Sequence, residues 1–294
     1  MGVGTEFVEV DGARIAMLRS ADRSGRPPVI FLHGITASIN FWPAVLGTQA
    51  DIYNWCSLSL PGHFPSVVPD GFCREDVTAE LFADCVLQAA DFCFPGQQPH
   101  LVGWSTGGFA ALVAASSAPE RFASVVSISG FARGGWGDLL GVMQRLSASR
   151  AGWKRAVCRW NFRQLARHRW LLNGVLRRFL GRRVRISQDA QPAWDSLFQA
   201  ATQNDPAVLA TLCGGIHRLD VSDRLSRVTA PVLVLGGSRD PVIVPAEASY
   251  LTRLIPQAEQ VTLEAVGHMF FAEARSECLQ IIREWIERHR AQVD

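Results

Sequence analysis

The chain has 294 residues, 48% of them hydrophobic and 19% charged, with 25 Gly and 15 Pro, a composition that excludes a disordered or collagen-like polymer. Its seven cysteines are odd in number and contain no C-x-x-C pair, so neither a disulfide framework nor a zinc ribbon is expected, and a chain of this length buries enough apolar surface to fold without them. The net charge of +2 conceals an asymmetry: residues 131–188 carry 13 Arg and Lys154 against Asp138 alone, a net of +13 that leaves −11 on the remainder.

The opening MGVGTEFVEVDG lacks a charged segment followed by an apolar one, and no run of 18 apolar residues occurs anywhere. Neither a signal peptide nor a membrane span is expected, and the expected location is the cytoplasm. EFVEV and RIAML flank Asp11-Gly12, a two-residue hairpin signal. Pro28 to Leu32 and Trp55 to Leu60 are compact strands ending at His33-Gly34 and Pro61-Gly62. Asp76 to Ala90 reads as a helix, His100 to Gly103 as a strand, Gly107 to Ser117 as a helix and Ser124 to Ser129 as a strand. Unalternated apolar runs ending at glycine suit a mostly parallel sheet covered on both faces, so the fold class is α/β.

After Gly130 no strand is expected until Pro231 to Leu235; Gln260 to Leu263 and a helix from Ser276 to His289 close the chain. An interval of that length is too long for a loop and predicts a helical insertion over residues 131–228 within a core made of 1–130 and 229–294. Inside it Trp153, Ala156, Val157 and Trp160, then Leu172, Val175 and Phe179, recur at helical spacing between the arginines.

Gly103-Trp104-Ser105-Thr106-Gly107 matches G-x-S-x-G at a strand-to-helix junction, where a sharp turn holds a serine hydroxyl out at a helix N-terminus. A serine nucleophile requires a base, and the base a carboxylate that fixes its tautomer. His268, in Val266-Gly267-His268 after the last strand, and Asp240, in Gly236-Gly237-Ser238-Arg239-Asp240-Pro241 after the PVLVL strand, follow the serine in the order such chemistry needs. Asp220 and Asp223 are the reserve acids. His33, His63 and His100 read as structural. Trp104, beside the serine, reads equally as a pocket wall or as core, and Met269, beside the histidine, joins it as a candidate substrate contact.

These motifs, with His33-Gly34 and Leu60-Pro61-Gly62-His63, resemble over essentially the whole chain the cap-bearing serine hydrolases of the α/β-hydrolase superfamily. Phe64-Pro65-Ser66 departs from the Gly-x-Ser that usually follows in that family, without catalytic meaning. The resemblance implies an oxyanion hole from the backbone amides of Ile35 and Thr106, and a helical cap formed by the insertion. The elbow Gly103-Trp104-Ser105-x-Gly107-Gly108 is also similar to that of carboxylesterases acting on pimeloyl carrier-protein methyl ester. The expected activity is hydrolysis of a carboxylic ester or thioester through an acyl-enzyme, with no metal and no cofactor, and with the acyl substrate carried by an acidic acyl carrier protein or coenzyme A docking on the basic cap. The alternatives are an acyltransferase, a lipid esterase in peripheral contact with a membrane surface, suggested by Arg and Trp together on helices, and a non-catalytic binding protein. Nucleic acid is not an expected partner, since no reading module is present.

Overall fold

The computed structural model describes residues 4–21, 25–182 and 184–290. Strands β1 (Thr5–Val10) and β2 (Ala13–Arg19) form the expected hairpin, with Val10 opposite Ala13 and both turn residues, Asp11 and Gly12, at positive φ. That is the backbone a two-residue turn needs to follow the twist of its strands. Next come β3 (Pro28–Leu32), α1 (Phe41–Leu46), β4 (Asn54–Leu58) and α2 (Ala79–Cys93). Helix α2 starts three residues later than its apolar pattern suggests. Asp76 instead accepts from the Cys73 amide in the preceding turn, while Thr78 caps the helix by accepting from the Leu81 amide.

Strand β5 (His100–Trp104), helix α3 (Thr106–Ser117) and strand β6 (Ser124–Ile128) lead into α4 (Asp138–Ala148), α5 (Gly152–Arg167), α6 (Arg169–Arg178), α7 (Gln191–Gln203) and α8 (Pro206–Ile216). The chain returns through β7 (Val232–Gly237), α9 (Pro245–Leu254), β8 (Ala258–Leu263), α10 (Phe270–Glu273) and α11 (Arg275–Arg288). The eight strands make one sheet in the order β1-β2-β4-β3-β5-β6-β7-β8, antiparallel at β1-β2 and β2-β4 and parallel elsewhere. β5, β6 and most of β3 and β7 are buried, which is why their sequences are unbroken apolar runs. Helix α3, rich in Ala, is buried along nearly its whole length against β5, β6 and α2.

The row Trp104–Ile128–Leu235–Val261 crosses four parallel strands in register. The loops after β5, β7 and β8 therefore leave one edge of the sheet, the edge at which open α/β sheets carry their sites. The inserted helices α4 to α8 fill the connection from β6 to β7. Helix α6 buries Leu172 and Leu176, but α5 turns Trp153, Val157 and Trp160 to solvent and buries Cys158 and Phe162 instead.

Besides His268, three histidines are buried in the interior. Burial holds His33 and His63 below the ordinary imidazole range and pushes His100, beside Ser124 Oγ, down to about 4. The unfolded chain takes up these protons near pH 6.5 and the folded chain only at lower pH, so the unfolded state binds more protons throughout the interval. Stability is accordingly present above about pH 6.5 and is lost as pH falls towards 4, by up to about 1.4 kcal/mol per pH unit for each histidine. The urea midpoint should drop steadily between pH 7 and 5, and the drop should be shallower in His100→Gln. A midpoint independent of pH across that range contradicts this account.

Candidate active site

The sharp bend at Ser105 comes from its neighbours. Between the last residue of β5 and the first of α3, Ser105 adopts φ 55° and ψ −116°, a backbone that a non-glycine residue takes only under constraint. Its amide donates to the Ile128 carbonyl at 2.8 Å, and its carbonyl accepts from Phe109 at 3.0 Å, so both sides of the turn are tied down. A Cβ at position 107 would lie 2.2 Å from the Leu32 carbonyl oxygen; only glycine lets the head of α3 approach the end of β3. The serine is 3% exposed.

Asp240 and His268, on the loops after β7 and β8, meet directly. His268 Nδ1 lies 2.8 Å from Asp240 Oδ2, and Asp240 Oδ1 accepts the amides of Val242 and Ile243 at 2.8 and 2.9 Å. An ionised carboxylate only accepts, so Nδ1 carries the proton and Nε2 of the neutral ring is left as the acceptor, the tautomer that can take a proton from a hydroxyl. The histidine backbone is also held: its amide donates to Phe179 O at 2.8 Å, and its carbonyl accepts from Trp104 Nε1 at 3.1 Å. Among the described residues the Ser105 hydroxyl has no hydrogen bond to the imidazole, an open geometry common in sites that tighten only around substrate. The reserve acids lie elsewhere: Asp220 accepts from the Ser222 amide, and Asp223 sits in a short turn of helix before β7.

Among the described residues neither the Ile35 nor the Thr106 amide donates an intramolecular hydrogen bond. Thr106 opens α3, where the first amides of a helix have no partner within it. The turn carrying Ile35 is braced by two imidazoles. His33 Nε2 accepts the Leu60 amide at 3.1 Å, so its Nδ1 holds the proton and donates to Gly34 O at 2.8 Å, while His63 Nε2 donates to Ile35 O at 2.6 Å. Kept neutral by burial, His33 has both nitrogens committed to this scaffold. Trp104 and Met269 are buried. The Trp104 indole stacks on Phe41 at 4.7 Å and packs 5.4 Å from the His268 ring, contacts that support the histidine loop from beneath.

A family model described as alpha/beta hydrolase fold matches residues 27–274. The chain belongs to the alpha/beta hydrolase family. It is 26% identical over 243 residues, covering 83% of this chain and 82% of the relative, to a 3-oxoadipate enol-lactonase 2 of Acinetobacter baylyi. It is likewise 26% identical over 262 residues, 83% of this chain and 90% of the relative, to a pimeloyl-[acyl-carrier protein] methyl ester esterase of Nitrosomonas europaea. The solved enol-lactonase of Burkholderia xenovorans superposes with a TM-score of 0.73 at 18% identity, over 96% of this chain and all of that one, a likeness of fold.

Two hollows accompany the site of this alpha/beta hydrolase. A narrow apolar cavity of about 20 Å³ lies among the inserted helices, lined by Phe162, Leu172, Leu176, Leu197 and Leu209 and reaching Thr36, next to Ile35. An open cleft of about 740 Å³ between α6 and α7 is lined by Arg169, Trp170, Arg177, Arg185, Trp194 and Phe198. Trp194 adjoins Phe271 at 6.3 Å, and Phe271 adjoins Trp104 at 5.7 Å, so the cleft wall connects through rings to the support of His268. Among the described residues no group of three or more His, Cys, Asp or Glu is placed to hold a metal ion. Among them, too, no helix is long and apolar enough to cross a membrane.

Glu273, at the end of α10, has no precedent in the motifs. Its carboxylate accepts the amides of Gly181 at 2.9 Å, Arg182 at 3.3 Å and Gly267 at 2.9 Å, joining the segment after α6 to the loop that carries His268. Burial pushes its carboxyl above the usual range, against the pull of the amide hydrogen bonds and Arg182. No local pattern marks it, because two of its partners are backbone amides more than ninety residues away.

Proposed function

We propose that the chain is a serine hydrolase that cleaves a carboxylic ester or thioester through an acyl-enzyme. At the coarser level it is an ester-bond hydrolase of the alpha/beta hydrolase family. The observation that carries the finer reading is the His268–Asp240 hydrogen bond, formed by loops that leave the same sheet edge as the strained turn at Ser105. In this reading Ser105 attacks the carbonyl carbon, and His268 Nε2 takes its proton. The oxyanion forms against the amides of Ile35 and Thr106, each such donor supplying about 3 kcal/mol of transition-state stabilisation. The imidazolium, stabilised by Asp240, returns the proton to the departing alcohol or thiol; water then repeats the sequence to release the acid, and another acceptor in its place would make the reaction an acyl transfer.

The inserted helices serve as a cap that selects the acyl group. The apolar cavity beneath them has room for about one water-sized group as it stands, so a longer acyl chain enters only as α6 and α7 separate. The basic cleft outside suits an acidic carrier whose acyl arm enters beside Trp194, and the similarity to the pimeloyl carrier-protein esterase supports that choice. Arg177→Glu with Arg185→Glu should raise KM for an acyl-carrier-protein substrate roughly tenfold while sparing p-nitrophenyl acetate. Equal effects on both substrates would remove docking from the account.

One observation favours a second reading, in which the cap rests on a lipid surface. Trp153 and Trp160 are 66% and 58% exposed on the outer face of α5, and the neighbouring Arg159, Arg163 and Arg167 are exposed and, among the described residues, pair with no carboxylate. Anionic vesicles belong in the same assay: stimulation on lipid esters that disappears in Trp153→Ser with Trp160→Ser supports the lipid surface, and indifference to vesicles dismisses it.

A further inference from the structure

We infer that Glu273 is a positioning residue that clamps the cap to the histidine loop and so holds the His268 imidazole in line over Asp240. The inference rests on the reading of His268 as the base, and it adds a residue that neither the motif set nor the triad supplies.

The geometry is that of a two-sided clamp. Glu273 Oε1 takes the amides of Gly181 and Arg182, both on the segment that follows α6, and Oε2 takes the amide of Gly267, the residue before His268. The two backbones it joins are already in contact. The His268 amide donates to Phe179 O, and a Cβ added at Gly181 would fall 2.6 Å from the Gly267 nitrogen. A carboxylate accepting three amide hydrogen bonds makes stronger, shorter links than a neutral acceptor, and it does so here at the expense of partial burial. Arg182 adds a contact from its guanidinium to the Glu273 carbonyl at 3.4 Å.

The loop is also tied by the His268 amide to Phe179 O, by Trp104 Nε1 to the His268 carbonyl and by the Arg239 amide to Val266 O, and Glu273 is the side chain that bonds this loop and the segment after α6 at once. On its C-terminal side the histidine leads within two residues into α10, which ends at Glu273 itself, so the clamp closes a short ring of chain around His268. On the cap side it pins the segment just after α6, the helix that presents Leu172 and Leu176 to the apolar cavity and Arg177 to the cleft. Displacing α6 to admit an acyl chain therefore pulls on the residue next to the base. The clamp couples occupancy of the cap to the alignment of the proton acceptor.

Glu273→Gln separates the two halves of the clamp. A carboxamide keeps one oxygen acceptor but turns two N–H donors towards an amide that is itself a donor. The side chain keeps the pair of bonds to Gly181 and Arg182 and leaves the Gly267 amide unpaired. For p-nitrophenyl acetate, which is too small to engage the cap, kcat should fall roughly tenfold with KM within twofold, as for an interaction felt only when the base takes a proton. Imidazole proton and nitrogen NMR of the resting protein gives a readout independent of turnover. The His268 Nδ1–H resonance should be sharp and downfield in the parent chain and broadened or shifted in Glu273→Gln. Glu273→Ala, which removes both halves, should show the larger spectral change and weaken binding of long-chain acyl substrates as well. An unchanged kcat and resonance in Glu273→Gln would overturn the inference. So would a fall in kcat that tracks a lowered melting temperature while the resonance stays in place, since that marks a merely structural acid. If the parent chain cleaves no ester, the reading of His268 as a catalytic base fails by itself, while the resonance still reports whether the clamp exists.

Discussion

Ser105→Ala should lower kcat by about 10⁴-fold or more on any ester the chain cleaves, while the melting temperature stays within a few degrees. The substitution removes one oxygen from a residue whose hydroxyl, among the described residues, carries no structural hydrogen bond, and alanine keeps the backbone contacts of the turn to Ile128 and Phe109. The positive φ persists, since alanine and serine meet the same steric cost there. Ester turnover should therefore vanish from a folded protein, which circular dichroism and an esterase assay on the same sample can show. Retained turnover in Ser105→Ala would remove the residue from its role and leave the strained turn without a chemical purpose.

Asp240→Asn should be nearly as severe, with kcat down by about 10⁴-fold and KM for a small ester little changed. The carboxylate has both oxygens committed: Oδ1 to the amides of Val242 and Ile243, and Oδ2 to His268 Nδ1. An asparagine satisfies the two backbone amides only with its oxygen on that side, which points its NH₂ at the imidazole. Nδ1 must then become the acceptor, the proton moves to Nε2, and the ring can no longer accept from Ser105. Geometry survives while the tautomer is wrong. A kcat within tenfold of the parent would show that a different acid, or none, orients the histidine, and would return Asp220 and Asp223 to consideration.

Much of this was legible in the chain because the signals are short and local. The Asp11-Gly12 turn, the unbroken apolar strands and the Gly103-Trp104-Ser105-Thr106-Gly107 junction each depend on a few adjacent residues, and the structure has the strands and turns where those residues call for them. The helix over α2 was legible as a helix but not in its first turn, where the competing bond from the Cys73 amide to the Asp76 carboxylate displaced the start to the Thr78 cap. For α5, spacing predicts a helix and leaves open which way it faces. Trp153, Val157 and Trp160 recur at helical spacing in sequence, yet Cys158 and Phe162 are the residues packed inward, because burial is decided by the helices lying alongside.

The sequence by itself determined the order of the elements, the sharp turn at Ser105, and the types of side chain available for proton transfer, since each follows from local backbone preference or from residue chemistry. Only the tertiary structure decided that Asp240, rather than Asp220 or Asp223, meets His268, that Trp104 packs beneath the histidine loop, and that Glu273 links two segments through backbone amides. Those outcomes depend on parallel strands ending in register on one edge and on loops brought together from distant parts of the chain. A backbone amide looks the same at every position in a sequence, so a carboxylate whose partners are amides leaves no trace there until the chain is folded.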